Sequence, residues 1–368
     1  MKKKLLFFHF DLSGGGAEKV LVNLLNGLNP DKYDITLFLL FKVGSNLDAL
    51  NPNICLRYVF KRPFRGITTL LKLFSPRVLH KFFIKEKYDV EIAYIEFSPT
   101  RIVSGCPNTD TRKIAWVHSC KINMPGSFRS EKEMRECYEH FDRIIFVSEQ
   151  SEQSFIATTG WKDLPYHILP NVMDVNAIYK QASDSIIENI NPELINFCSI
   201  GKLEKLKGSI RLMECMSDLD KQGILNWHLY YIGTGSAKAE IEAIVSSNGI
   251  ADKVTFVGYQ SNPYKYLSRM DFFVCPSYFE GYSTSAIEAL ILGIPVVTTD
   301  CGGMQEILDH GRYGLIVGNS TDELRLGIYK FITDKNLRND YKKKAEVRSS
   351  FFNPQSVLRL TENMIDQL

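Results

Sequence analysis

The sequence predicts two doubly wound α/β domains, and three features of the 368-residue chain lead there. Short apolar runs recur at intervals wide enough to hold a helix. The runs are nearly continuous rather than alternating, as in parallel strands buried on both faces. The segments between them carry apolar residues at helical spacing. At ~150 residues per domain the length allows two or three domains, with two preferred.

In the first half the predicted strands are 5–10, 35–41, 90–95, 114–117, 144–147 and 168–169. Val20, Leu21, Leu24, Leu25 and Leu28 fall on one side of a helix after the first of them. In the second half the strands are 195–200, 229–232, 254–257, 272–275, 296–298 and 315–317, and Ile210, Met213, Met216 and Leu219 line the helix after 195–200. Between the halves, 181–192 has Ser, Asp, Asn and Pro with little periodicity and reads as the linker. The expected domains are therefore 1–180 and 190–350, with a C-terminal helix about 352–368 packing back onto the first. Doubly wound sheets bind ligands beyond the carboxyl ends of their strands, so two of them facing each other would share a cleft.

Composition narrows the class. Hydrophobic residues are 45% and charged residues 23%, an ordinary globular balance that excludes disordered, collagen-like and coiled-coil chains. Lys plus Arg is 44 against 42 acids, a net charge of +2, which gives no basis for nucleic-acid binding. Eight cysteines include no C-x-x-C pair, so no zinc ribbon or redox motif is visible, and they read as reduced thiols of a cytosolic protein. The opening Met1-Lys2-Lys3-Lys4 and apolar 5–8 resemble a signal peptide, but His9 and Asp11 cut the run below the about 7–15 residues required. No stretch approaches the ~20 apolar residues of a membrane span. A cytoplasmic location is expected, at most peripheral to the inner face of a membrane.

Three loops carry the chemistry. Ser13-Gly14-Gly15-Gly16-Ala17-Glu18 follows the first strand and opens the first helix, where bare backbone amides and a positive dipole end suit a diphosphate. A tight strand-to-helix turn would look the same. It is not a dinucleotide fingerprint, because Lys19 stands where the third glycine would be. Gly201-Lys202-Leu203-Glu204-Lys205-Leu206-Lys207-Gly208 again joins a strand to a helix, and Lys202 and Lys207 can clamp phosphates there; a solvated charged loop is the plain alternative. The densest segment runs from Glu280 through Gly281, Tyr282, Ser283 and Thr284 to Glu288, two carboxylates eight residues apart around a turn that opens a helix. Ser285-x-x-Glu288 also fits a capping box, which would give Glu288 a merely structural task.

The Glu-x7-Glu run continuing into ALILGIPVVTTDCGGMQEIL resembles the signature of glycosyltransferase family 4 (group 1), retaining enzymes of the GT-B fold, including bacterial capsular and exopolysaccharide enzymes. GGGAEKVLVNLL, IAWVHS at 114–119, FVSE at 146–149, LPNVMD at 169–174 and GKLEKLKG at 201–208 fall in that family's order, so the resemblance spans essentially the whole chain.

The resemblance implies a role for each matching residue. Gly15 and Gly16 would approach the donor diphosphate, and His118 would contact the donor sugar near the reacting centre; without the family, His118 reads as a core histidine, as His9 does. Lys202 and Lys207 would clamp the diphosphate, although an Arg is more usual at 202 and a Lys lacks its bidentate fork. Glu280 would hold sugar hydroxyls and Glu288 the ribose hydroxyls. Gly258 and Tyr259 would lie beside the base, with 233–235 a weaker candidate for the same wall. The catalytic set is then His118, Glu280 and Lys207, with donor contacts extending over Gly281, Tyr282, Ser283 and Thr284. Glu96 and Arg101, after the strand at 90–95, are expected to touch the acceptor.

The implied reaction moves a sugar from a nucleotide sugar, a UDP-sugar by family frequency, to a saccharide or lipid-linked saccharide, with no cofactor and no metal. Asp218-Leu219-Asp220 resembles a metal-binding D-x-D, but it falls on the last turn of a predicted helix. The stretch 61–87 carries eight basic residues, one acid and interleaved Leu and Phe, and reads either as a helix with a solvated basic face or as a contact for an anionic membrane. Competing readings are a nucleotide-sugar epimerase, a phosphorylase and a non-catalytic two-lobed sugar-binding protein.

Overall fold

β1 (Lys3–His9) is buried from Leu5 to His9 and pairs in parallel with β2 (Tyr33–Phe41) on one side and β4 (Val90–Ala93) on the other. The chain therefore reverses its winding direction at β1. In this computed structural model, which describes residues 1–119, 124–185 and 190–368, the first sheet continues through β3 (Cys55–Phe60), β5 (Arg112–Val117), β6 (Arg143–Phe146) and β7 (Tyr166–Ile168). Its order is β3-β2-β1-β4-β5-β6-β7. α1 (Gly16–Gly27), α2 (Ile67–Lys72), α3 (Pro76–Phe83), α4 (Ser98–Val103), α5 (Glu131–Glu139) and α6 (Glu149–Thr159) connect the strands.

The second sheet repeats the plan. β8 (Ile195–Ile200), β9 (Trp227–Ile232), β10 (Val254–Gly258), β11 (Phe272–Cys275), β12 (Val296–Thr299) and β13 (Leu315–Val317) run in the order β10-β9-β8-β11-β12-β13. α7 (Val175–Ala182) precedes them. Interleaved with and following them are α8 (Ser209–Lys221), α9 (Lys238–Ser247), α10 (Tyr264–Leu267), α11 (Thr284–Ile291), α12 (Met304–Ile307), α13 (Thr321–Thr333), α14 (Lys335–Ser349) and α15 (Pro354–Asp366). All pairings are parallel, so the topological switch points lie between β1 and β4 in one sheet and between β8 and β11 in the other.

The strands form where near-continuous apolar runs allow burial on both faces, as at Leu5–Phe8 and Phe272–Val274, all at most 1% exposed. β3 was not among the sequence-predicted strands. It is an edge strand whose residues are exposed or half-buried, so its apolar run is broken by Arg57.

Two units result, Met1–Met173 with Pro354–Leu368, and Asp174–Asn353. The boundary falls before α7 rather than near residue 180, because α7 packs on α10 and α11 of the second unit, with the Tyr179 hydroxyl donating to Ile291 O at 2.6 Å. Of the expected linker, 186–189 lies outside the described residues. α15 belongs to the first unit, where Lys3 Nζ donates to Ile365 O at 2.8 Å and Tyr33 Oη to Asp366 at 2.7 Å. Among the described residues no helix is long and apolar enough to cross a membrane.

Candidate active site

In the second unit the switch point brings two sequence-predicted residues into direct contact. Lys207 ends a single 3-10 turn (Lys205–Lys207) after β8, and Glu280 lies in the loop after β11, the neighbouring strand. Lys207 Nζ donates to both oxygens of Glu280, at 2.9 and 2.8 Å. Burial alone would lower the Lys207 pKa, but the charge and hydrogen bonds of Glu280 outweigh it and hold the ammonium above its ordinary value. Ser277 Oγ donates a third bond to Glu280 Oε1 at 2.6 Å.

Two glycines let these loops meet. A Cβ on Gly208 (φ +68°) would sit 1.8 Å from Pro276 O, and one on Gly302 (φ +54°) 2.1 Å from Glu280 O. Any side chain there would drive the loops apart.

The residue that fixes the Glu280 loop was not among the sequence-predicted site residues. Arg211, 2% exposed on α8, donates from Nε to Pro276 O at 2.6 Å and from Nη2 to Ser277 O at 2.7 Å. Its Nη1 reaches Asn319 Oδ1 at 2.9 Å, and its guanidinium lies 3.6 Å from the Tyr278 ring centroid. The available signal was an Arg beside Leu212 and Cys215 in the stripe that faces the core.

Ser283 is the N-cap of α11, with its Oγ accepting from Ala286 N, so the capping box anticipated at Ser285 and Glu288 does not form. Glu288 is 4% exposed and accepts from the Tyr264 hydroxyl on α10 at 2.7 Å. Gly281, Tyr282 and Thr284 are half-buried in the same turn, and burial pushes the Tyr282 phenol up to about 12. Gly303 N donates to Gly281 O at 3.0 Å, tying in the loop after β12. Lys202 is exposed after β8, while Gly258 ends β10 and accepts from Gly233 N at 2.8 Å, with the exposed Tyr259 next. Asp218 and Asp220 occupy the last turn of α8, where Lys253 pairs with Asp220.

In the first unit, Gly15 is the extended N-cap of α1 and Gly16 its first residue, both at the carboxyl end of β1. His118 follows β5. Its Nε2 is buried without a partner among the described residues, as is Nε2 of His9. Burial, and next to it the neighbouring His9, pull the His118 pKa down to about 3, while burial takes His9 to about 4. Both rings are neutral at pH 7, and both lie against Tyr94, with centroids 4.9 and 6.3 Å away.

Both residues expected at the acceptor are buried in the first unit. Glu96 is 4% exposed, and its Oε1 accepts the backbone N–H groups of His118 at 2.8 Å and Ser119 at 2.6 Å. Burial raises its pKa, against those hydrogen bonds. It thereby holds the backbone of the His118 loop. The next residue, Phe97, has φ 73°, a conformation a side chain takes only when its surroundings compel it. Arg101 is 1% exposed, and Glu133 at 3.0 Å together with the carbonyls of Leu71 and Phe74 occupies its guanidinium. Four of its five N–H donors are thereby engaged.

Comparison with known proteins agrees with this layout. The model of the family described as Glycosyltransferase Family 4 matches residues 14–177, and that described as Glycosyl transferases group 1 matches 180–348. The chain is 26% identical, over 97% of its length and 98% of the relative's, to N-acetylgalactosamine-N,N'-diacetylbacillosaminyl-diphospho-undecaprenol 4-alpha-N-acetylgalactosaminyltransferase of Campylobacter jejuni. Among solved structures, sucrose-phosphate synthase from Thermosynechococcus elongatus superposes with a TM-score of 0.81 at 18% identity, covering 100% of this chain and 99% of that one. Anabaena Alr3699/HepE in complex with UDP gives 0.75 at 17% identity, with both chains fully covered (100% of each). With one model of this lineage on each half and GT-B glycosyltransferases among its structural neighbours, the chain belongs to the group 1, family 4 glycosyltransferases and is an enzyme of that family.

Proposed function

We propose that the enzyme transfers a sugar from a UDP-sugar, with retention of anomeric configuration and without a metal, to a saccharide or lipid-linked saccharide of cell-surface polysaccharide synthesis. The observation that carries this reading is the Lys207–Glu280 pair at the β8/β11 switch point. An arriving diphosphate draws the Lys207 ammonium toward its oxygens and frees Glu280 to accept hydrogen bonds from sugar hydroxyls. Lys202 and the N-terminal amides of α11 add positive potential where charge develops on the departing diphosphate, the task a metal would otherwise serve. Glu288, held by Tyr264, accepts from ribose hydroxyls, and the neutral His118 offers Nε2 as an acceptor to a sugar hydroxyl. A UDP-bound structure of Anabaena HepE supports the choice of nucleotide, and the undecaprenol-linked saccharide in the name of the Campylobacter jejuni relative supports the acceptor class. Such an acceptor is met at the inner face of a membrane, for which 61–87 is the candidate contact.

The test incubates the full-length protein with UDP-hexoses and UDP-N-acetylhexosamines, with and without undecaprenyl-diphosphate saccharides, in excess EDTA. The reading predicts acceptor-dependent UDP release that survives the chelator and an α-linked product from an α-linked donor. Activity lost in EDTA and restored by Mn²⁺, or a product of inverted configuration, would overturn it.

A further inference from the structure

The corner between α2 and α3 is held from beneath. Arg101 caps the end of α2 by donating to Leu71 O at 2.9 Å and Phe74 O at 2.6 Å, and Arg129 Nε donates to Lys72 O at 2.5 Å. Leu71, Leu79 and Ile84 anchor the inner side in the core. A corner so braced has no need of apolar residues on its outer side, yet Leu70, Leu73, Phe74, Val78 and Phe82 are 43%, 71%, 46%, 50% and 70% exposed. Val78 and Phe82, four residues apart, share one outward face of α3. A cluster of this kind on a soluble surface marks a contact.

The charge around it identifies the partner. The stretch 61–87 has eight basic residues and one acid, a local charge of +7 in a chain whose net charge is +2. Arg65, Lys72, Arg77 and Lys81 border the apolar cluster, and none of them has a carboxylate within ion-pair reach among the described residues. Protein interfaces are depleted in Lys. Exposed Leu and Phe ringed by unpaired Lys and Arg match the boundary of an anionic bilayer, where rings and aliphatic tips enter the acyl edge and cations meet lipid phosphates.

We propose that the outer face of α2 and α3 is a membrane-docking surface, with Leu73, Phe74 and Phe82 entering an anionic bilayer and Arg65, Lys72, Arg77 and Lys81 holding its headgroups. The proposal deepens the reading of a lipid-linked acceptor and supplies the surface at which that acceptor is reached. Arg101, expected to contact the acceptor, instead braces this face.

The test is co-sedimentation of the full-length protein with vesicles of phosphatidylcholine alone or mixed with phosphatidylglycerol. Wild type should sediment with the mixed vesicles at low salt and far less with phosphatidylcholine. The double variant Leu73→Ser, Phe82→Ser removes only exposed groups, so its melting temperature should match wild type while vesicle affinity falls at least about tenfold. Leu73→Trp, Phe82→Trp should retain binding. Failure of wild type to sediment at low salt would overturn the proposal, as would unchanged affinity in the Ser variant, which would mean adsorption by charge alone. Self-association lost in the Ser variant, without vesicle binding, would overturn it in favour of a second copy of the chain. These vesicles contain neither donor nor acceptor, so the result stands apart from that of the transfer assay.

Discussion

Lys207 and Glu280 come from loops 73 residues apart in sequence and form a two-pronged ion pair, because β8 and β11 are neighbours across the switch point. Sequence could nominate both residues but gave them separate tasks; the contact depends on strand order, which no local pattern encodes. Glu288 was equally visible, whereas its partner Tyr264 was not, since a tyrosine on a four-residue helix carries no signal. A second buried pair lies outside the candidate site. His80 Nε2 and Glu91 Oε2 are 2.7 Å apart, with both residues at most 2% exposed, and Cys106 Sγ reaches the other Glu91 oxygen at 3.5 Å. Burial alone would lower the His80 pKa, but Cys106 and Glu91 hold it up to about 9. A folded pKa raised above the unfolded value near 6.5 gives stability that is complete below pH 6.5 and lost as pH rises through about 9. Urea unfolding followed against pH should show that decline. Glu91→Gln should cost about 3–5 kcal/mol near neutral pH and flatten it, because a broken buried pair leaves an unpaired group behind.

At the scale of elements, the strands were the most legible part. Each predicted strand lies wholly or partly in an observed one, most plainly where the run is buried on both faces, as in β1, β4 and β11. β3 escaped because Arg57 interrupts its short apolar run at the edge of the sheet. Loops were legible in their chemistry but not in their facing. Glu96 and Arg101 follow β4 and were expected to touch the acceptor, while the chain turns through Phe97 and buries both side chains. Position after a strand does not determine which way a side chain points once the loop folds back. α8 does more than cover its sheet, because Arg211 ties it to the loop carrying Glu280. Arg211→Lys keeps the charge but loses the fork that spans Pro276 and Ser277. It should lower kcat/KM by about tenfold or more while the pH profile keeps its shape, as befits a positioning residue; the readout is steady-state kinetics across pH. Arg211→Leu should in addition lower Tm, since it leaves the two carbonyls unpaired.

At the scale of the whole molecule, the chain builds one doubly wound unit, then a second, and returns to the first with α15. The two-domain plan was legible because the strand rhythm repeats, while the point of division was not, since α7 lacks any compositional mark of the unit it joins. The return is secured by specific contacts. Glu362 accepts from Asn29 N at 3.0 Å and Lys32 Nζ at 3.1 Å, and burial followed by the hydrogen bond to Asp366 raises the Tyr33 phenol above its ordinary range. Ending the chain after Asn353 should therefore loosen the first unit and leave the second intact. Hydrogen exchange would detect this as lost protection in β1, β2 and α1 with β8 to β12 unchanged.

The central claim is that the loops after β8 and β11 hold the donor's diphosphate. Calorimetric titration of UDP into the full-length protein and into Lys207→Met tests it most directly. The account predicts one-site binding to wild type, weakened about a hundredfold in the variant. The variant's Tm should change little, because the Lys207 side chain is 38% exposed and its ion pair contributes modestly to folding. Equal affinity for UDP in both proteins, or no heat with wild type, would contradict it.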